Sequence, residues 1–412
     1  MTSAPKIVSY QLTTLNELAT ERVLGYRDRF QAEKSDLLPA HTLEVPPLTW
    51  GDTDFTLPGI KEAAPQGARG LQLKAPAVAA WTLRNPTILG RYGMVTVEGC
   101  VLSDTLYHVP LHKMPGAGPH GGNSFRLPDP PRRRAARSAY HLLACNQNNY
   151  FHWLFDCVFR YQPEAYQLAT DLSGDGDLPP VVMPPADTAW KAMSVEAAIP
   201  AFVPRLVLTA DDKLTVERLL FVPDLTGAGF NPHPALLAAY DRILLAVTGS
   251  SRKLAAGRKL YISRLDSQSR VLVNEREIQA VAESVGCTSV VLSELTFQEQ
   301  VRLFAEASLI VAPHGAGLTN IGFCRPGTTL CELHMDSYVH WSFRRLAALR
   351  GLHYGCVVGE TWAKPAPASP GQAWRLDPGR LRDVLKVLVP ANRAGQGWVG
   401  RFWKRGSKGL LF

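Results

Sequence analysis

Several stretches of this sequence place polar side chains at spacings that support chemistry. In Asn149-Tyr150-Phe151-His152-Trp153-Leu154-Phe155-Asp156, an imidazole and a carboxylate stand four residues apart, on one face of a helix. A carboxylate beside an imidazole raises its basicity and fixes its tautomer, which suits a general base that removes a proton from a hydroxyl. The same pair serves equally well as a buried brace between helix and sheet. Zinc fits poorly, because HxxxD supplies too few ligands and neither HExxH nor CxxC accompanies it.

In the second half, Ser263-Arg264 ends an apolar run and Arg270 follows six residues later, before Asn274 and Glu275 open a helix. A guanidinium there clamps a phosphate bidentately, as lysine does less well; pairing with a surface carboxylate is the plainer reading. Next, Pro313-His314-Gly315-Ala316-Gly317-Leu318-Thr319-Asn320 lies between the strand-like LIVA and a helix. Small residues at 315 to 317 let a phosphate approach free backbone N–H groups where a helix dipole also favours negative charge. The pattern is neither a P-loop nor GxGxxG, and glycine-rich turns also arise for packing alone. Glu332, in TTLCELH, stands where a carboxylate accepts from ribose hydroxyls, or where it is merely a helix N-cap partner or a solvated charge.

The elements that must carry these residues are clearest in the C-terminal half. RKLYISR, TSVVLS, SLIVAPHG and TTLCELH read as strands, separated by helices NEREIQAVAESVG, TFQEQVRLFAEA and AGLTNIGF. Such alternation builds a parallel α/β sheet, which binds ligands beyond the carboxyl ends of its strands. Upstream, residues 80–109 read as short strands, Met114–Arg137 as a long loop, AYHLLAC as a strand, and a helix begins near Asn149. Residues 1–75 contain a helix near Leu15 to Arg29 and Pro-rich connections, without a legible role.

The 412 residues suggest two domains. With 46% hydrophobic and 19% charged residues the chain has the balance of a globular protein, not of a disordered one. Its apolar runs are too short to span a membrane, and the N-terminus lacks a signal-peptide pattern, so a cytoplasmic protein is expected. Seven scattered cysteines fit reduced thiols. The net charge of +8 favours anionic partners such as nucleotide sugars, acidic glycans or an anionic membrane surface. Arg132, Arg133, Arg134 and Arg137, and Arg401, Lys404, Arg405 and Lys408, read as a solvated loop and a frayed tail.

Taken in order, NYFHWLFD, YISRLDSQSRVLVNE and VAPHGAGLTNIGFCRPGTTLCEL resemble glycosyltransferase family 61, which includes bacterial capsular-polysaccharide enzymes. The resemblance covers roughly residues 80 to 360. It implies a GT-B fold, two Rossmann-like domains facing a cleft, and an inverting, metal-independent transfer with no cofactor. The donor is a nucleotide sugar, UDP-linked by family preference, and the acceptor a hydroxyl of a bacterial surface glycan or glycolipid. Residue by residue, the resemblance gives nucleotide-sugar binding to Arg264, Arg270, His314, Gly315, Ala316, Gly317, Asn320 and Glu332, and catalysis to His152 and Asp156. The corresponding division is an extension at 1–75, an acceptor-side domain at 76–245, a nucleotide domain at 246–365 and a basic tail at 366–412 returning to the N-terminal domain. The lone DxD, Asp175-Gly176-Asp177, lies in an irregular loop, in keeping with metal independence. Two other readings are a non-catalytic sugar-nucleotide or glycan-binding module, and a Rossmann oxidoreductase, which the lack of GxGxxG disfavours. No nucleic-acid partner is expected.

Overall fold

In the C-terminal half the apolar runs form central strands of a sheet covered on both faces, so neighbouring residues are buried in turn against opposite layers. Leu260, Ile262, Ile310 and Ala312 face one core; Tyr261, Leu309, Val311, Cys331 and Leu333 face the other. The strands run in the order Thr288–Val291, Arg258–Ser263, Ala307–Pro313, Thr329–Met335, His353–Ala363, Ala373–Arg375. The first five are parallel and the last is antiparallel. The computed structural model describes residues 6–389 apart from 20–31, 49, 52–69, 91, 107–113, 115, 145, 174–175, 224, 228, 250–256 and 364–372.

The other half is built on a 12-stranded mixed sheet. At one end, Arg205–Val207, Val181–Met183, Arg132–His141 and Asp212–Phe221 run parallel. Beyond them the sheet continues through Thr87–Leu89, Met94–Val97, Cys100–Leu102, Ile7–Thr13, Ser124–Pro128 and Gly118–Pro119.

One hydrophobic core joins the halves. Its spine is aromatic: Phe159 meets Tyr240 at 4.6 Å between ring centroids, and Tyr240 meets Phe323 at 4.8 Å. Burying such rings contributes roughly 1.5 to 3 kcal/mol each. Gly322 is required at this contact, because a Cβ there would sit 2.1 Å from the Tyr240 ring.

The expected α/β alternation is present, with several corrections. Arg132–Arg137 are not in a loop; they lie on the strand Arg132–His141, paired along one side with Asp212–Phe221, with guanidinium groups outward. AGLTNIGF forms the expected helix, Ala316–Phe323, with 3₁₀ pitch. Within residues 1–75, Ile7–Thr13 and Glu33–Leu38 belong to the large sheet, and Trp50 packs against the C-terminal core. Residues 373–388 do not return to the N-terminal half; Ala373–Arg375 extends the C-terminal sheet, and the helix Pro378–Leu388 buries Leu381 and Leu385 against it. Of the helix expected at Leu15 to Arg29, Leu15–Ala19 is described and helical. Arg401, Lys404, Arg405, Lys408 and Asp175 lie outside the described residues. No described helix is long and apolar enough to cross a membrane.

Candidate active site

The segment from Asn149 to Arg160 is one continuous coil of changing pitch. Asn149 caps it, its side-chain oxygen accepting from the backbone N–H groups of Phe151 at 2.9 Å and His152 at 3.4 Å. One α-turn, Tyr150–His152, passes into a π-turn, Trp153–Cys157, and then a 3₁₀ turn, Val158–Arg160. π-turns occur frequently at functional sites. Here the turn buries Trp153, Leu154 and Phe155 while leaving Asp156 half-buried, and His152 Nδ1 and Asp156 Oδ2 are 2.7 Å apart. Because an ionised carboxylate only accepts, the Nδ1 proton belongs to this bond.

A cleft of about 310 Å³ opens beside this pair. The N-terminal half lines it with Asn149, Phe151, His152, Asp156 and the turn from Thr226 to Phe230; the C-terminal half supplies Arg270, the turn His314–Ala316 and the loop from Tyr338 to Phe343. These C-terminal residues follow the carboxyl ends of the strands Arg258–Ser263, Ala307–Pro313 and Thr329–Met335. The cleft therefore lies where a parallel α/β sheet binds ligands.

Arg270 has left-handed backbone, φ 52°, and its carbonyl accepts from Trp374 Nε1 at 2.9 Å. Its guanidinium lies 4.7 Å from the centroid of the Tyr338 ring, and its buried Nε has no hydrogen-bond partner among the described residues. Arg264 is placed differently. It does not line the cleft but lies beneath the His314–Ala316 turn, donating to Ser267 Oγ at 2.8 Å and to the Ser269 carbonyl at 3.1 Å. Burial, and then the nearby charge of Arg270, lower the Arg264 pKa. Gly315 has extended backbone, so space rather than conformation calls for glycine: a Cβ would be 1.7 Å from Arg264 Nη1.

Glu332 has no exposed surface. One carboxylate oxygen accepts from His314 Nδ1 at 2.6 Å, and the other from the Tyr354 hydroxyl at 2.7 Å. Burial pushes its pKa up, but His334 and the hydrogen bond from His314 outweigh burial and hold it well below the usual carboxylate range. Burial pushes His314 down to about 4, against the pull of Glu332. An ionised Glu332 beneath a neutral His314 fixes the proton on Nδ1 and leaves Nε2 as the ring's acceptor. Among the described residues, His314, Glu332 and His334 have a metal-binding donor set, with ligand atoms within 4.8 Å of one another. In this structure they form a hydrogen-bonded cluster, and Glu332 and His334 are fully buried.

The structure thus brings His152, Asp156, Arg270, His314, Gly315 and Ala316 to one cleft. Gly317, Asn320 and Glu332 stand behind its wall: Gly317 packs on Leu292, and Asn320 donates to Gln300 and accepts from Tyr150. Glu332, in this arrangement, supports His314 rather than presenting a free carboxylate. Sequence reasoning missed the loop Tyr338–Phe343 and the turn Thr226–Phe230. Both directly follow strands, and the aromatic run SYVHW and the small-residue run TGAG were the available signals.

The molecule is thus an α/β protein whose cleft brings a hydrogen-bonded His–Asp dyad together with Arg270 and a glycine-containing turn. Residues 150–331 match the family model described as Glycosyltransferase 61, a segment that begins beside the dyad and includes both arginines and the His314–Asn320 turn. The chain is also similar to a β-1,2-xylosyltransferase of Arabidopsis thaliana, 33% identical over 100 residues, which are 21% of this chain. The chain covers 18% of that relative's length. The family resemblance read from the sequence holds over the matched segment.

Proposed function

We propose that this chain is an inverting, metal-independent glycosyltransferase of the GT-B type. It transfers a sugar from a nucleotide sugar, UDP-linked, to a hydroxyl of a bacterial surface or capsular glycan, working on the cytoplasmic side. One observation carries the reading: His152 and Asp156 share a cleft with Arg270 and the His314–Ala316 turn.

In this mechanism the acceptor oxygen attacks the anomeric carbon as the bond to the nucleoside diphosphate breaks. His152 takes the acceptor proton, and Asp156 holds the imidazole in the tautomer that can receive it and stabilises the resulting cation. The leaving diphosphate keeps the bonding electron pair and gains one negative charge, which fixed dipoles and cations stabilise without reorganising. Arg270 faces that position directly, Arg264 supports the turn from beneath, and the backbone at Gly315 and Ala316 offers close approach. His314, with Nε2 as acceptor, suits a ribose or sugar hydroxyl better than a phosphate oxygen. The name of the Arabidopsis relative makes UDP-xylose one donor to try.

Calorimetric titration with UDP in EDTA tests the reading. Binding that survives chelation supports it; failure to bind UDP, or binding that needs a divalent cation, overturns the metal-free donor site.

A further inference from the structure

Asp156 belongs to two cavities. Besides the large cleft it lines a smaller one of about 60 Å³, walled by Tyr92, Asp104, His141, Arg160 and Phe221. His141 and Phe221 are the last residues of two neighbouring parallel strands and are paired in register. The small crevice therefore lies beyond the carboxyl ends of the N-terminal parallel strands, as the large cleft lies beyond those of the C-terminal sheet. Asp104 in turn also lines a third cavity of about 210 Å³, walled by Trp81, Leu225 and His233. Neighbouring cavities thus share a carboxylate, Asp156 between the first and second and Asp104 between the second and third.

Their chemistry differs. The large cleft has Arg270 at its wall, whereas the floor of the small crevice turns its cation inward: Arg160 donates to the carbonyls of Val222, Leu143 and Asp156. His141 is likewise engaged, through Gly93 O at 2.8 Å and Arg160 Nη2 at 3.3 Å. What the crevice offers a ligand is the carboxylates of Asp104 and Asp156 and the half-buried ring of Tyr92, Phe221 being buried beneath Arg160. Asp104 is exposed and gives one oxygen to the Leu15 N–H at 3.0 Å, leaving further acceptor sites. Carboxylates repel phosphate and accept from hydroxyls, and aromatic faces take the apolar face of a sugar ring. The crevice volume suits a few hydroxyl-sized groups, not a nucleotide.

We propose that the crevice and the third cavity form the acceptor site, holding an uncharged oligosaccharide whose reacting hydroxyl passes Asp156 to reach His152 and whose next units run past Asp104 into the third cavity. The proposal rests on the glycosyltransferase reading and names the acceptor class: a glycan of several units rather than a single sugar.

Saturation-transfer NMR on the full chain tests it, using the β-1,4-linked tetrasaccharides of glucose, mannose, xylose and N-acetylglucosamine and the matching methyl monoglycosides. At least one tetrasaccharide should bind, more tightly than its monoglycoside, and should stay bound under saturating UDP. Asp104→Asn and Tyr92→Asn should each weaken it by about 10-fold or more, the scale of one lost hydrogen bond or ring contact, without changing UDP affinity. Asparagine tolerates the left-handed backbone of Tyr92, φ 66°; should that variant melt early, Asp104→Asn decides. The proposal is overturned if no tetrasaccharide binds, if UDP displaces it, or if Asp104→Asn binds as tightly as the parent. A tetrasaccharide that binds while UDP does not would count against the donor reading and leave this crevice standing.

Discussion

The Tyr150 hydroxyl donates to Asn320 Oδ1 at 2.6 Å, tying the helical turn that carries His152 to the 3₁₀ helix that follows the His314–Ala316 turn. Asn320 is fully buried and its amide nitrogen is already given to Gln300 at 2.9 Å. Burial pushes the Tyr150 phenol well above its usual pKa, so it remains a donor at every working pH. Tyr150→Phe strands the Asn320 oxygen and should cost about 1 to 3 kcal/mol of stability. Urea denaturation measures this directly, and an unchanged midpoint at unchanged slope would show that the bond contributes nothing.

For the dyad, His152→Ala and Asp156→Asn should lower turnover by about 100-fold or more, the usual worth of general-base catalysis, and leave UDP affinity nearly intact. A pair that only braces the coil would instead lose melting temperature, with activity falling in proportion to the folded fraction. Turnover, UDP affinity and melting temperature on the same preparations separate the two.

Arg270 lines the cleft, while Arg264 lies under its floor. Arg270→Ala should weaken UDP binding by about 1.5 to 3 kcal/mol, the range for a hydrogen bond to a charged group. Arg264→Ala should act through the turn, and Gly315→Ala should reproduce it, because the added Cβ displaces the guanidinium held by Ser267 and Ser269. Calorimetry on the three variants checks the order; a Gly315→Ala protein that binds UDP like its parent would show that the packing beneath the turn does not matter.

Stability should fall with acid in a way traceable to His141. Burial, and then the charge of Arg160, depress its folded pKa to about 3, against an unfolded value near ~6.5. A depressed histidine pKa means that the unfolded chain binds the proton first. The stabilisation is thus complete above about pH 6.5 and is lost as pH falls toward 3, at roughly 1.4 kcal/mol per pH unit for one group. In His141→Gln this share is absent, so its stability deficit should shrink as pH drops from 7 to 5. Parallel curves over that interval would exclude His141 as the source.

The C-terminal sheet was legible because its strands are apolar on both faces and its helices strongly amphipathic, so local pattern and tertiary burial agree. The dyad was legible for the same local reason: four residues along one coil already fix that His152 and Asp156 can meet. What could not be read depends on pairing between distant segments. Arg132–Arg137 look like a loop in isolation and become a strand only because Asp212–Phe221 lies alongside. Asn320 and Glu332 occupy positions that suggest ligand contact, yet their partners, Tyr150, Gln300, His314 and Tyr354, come from other elements and turn them inward. Sequence spacing locates a polar residue near a strand end; it does not say which way the side chain is satisfied.

Trp374 lies far along the chain from every motif and outside the matched family segment, yet its indole N–H holds the Arg270 carbonyl, and its backbone bonds to Val271 and Val273 fix the next residues. The unit that holds the cleft in shape is therefore longer than the span of its recognisable motifs. A protein shortened to end near residue 360 would keep every motif residue and lose the strut that holds Arg270 in its left-handed conformation. Boundaries for expression or domain swapping belong beyond the helix Pro378–Leu388.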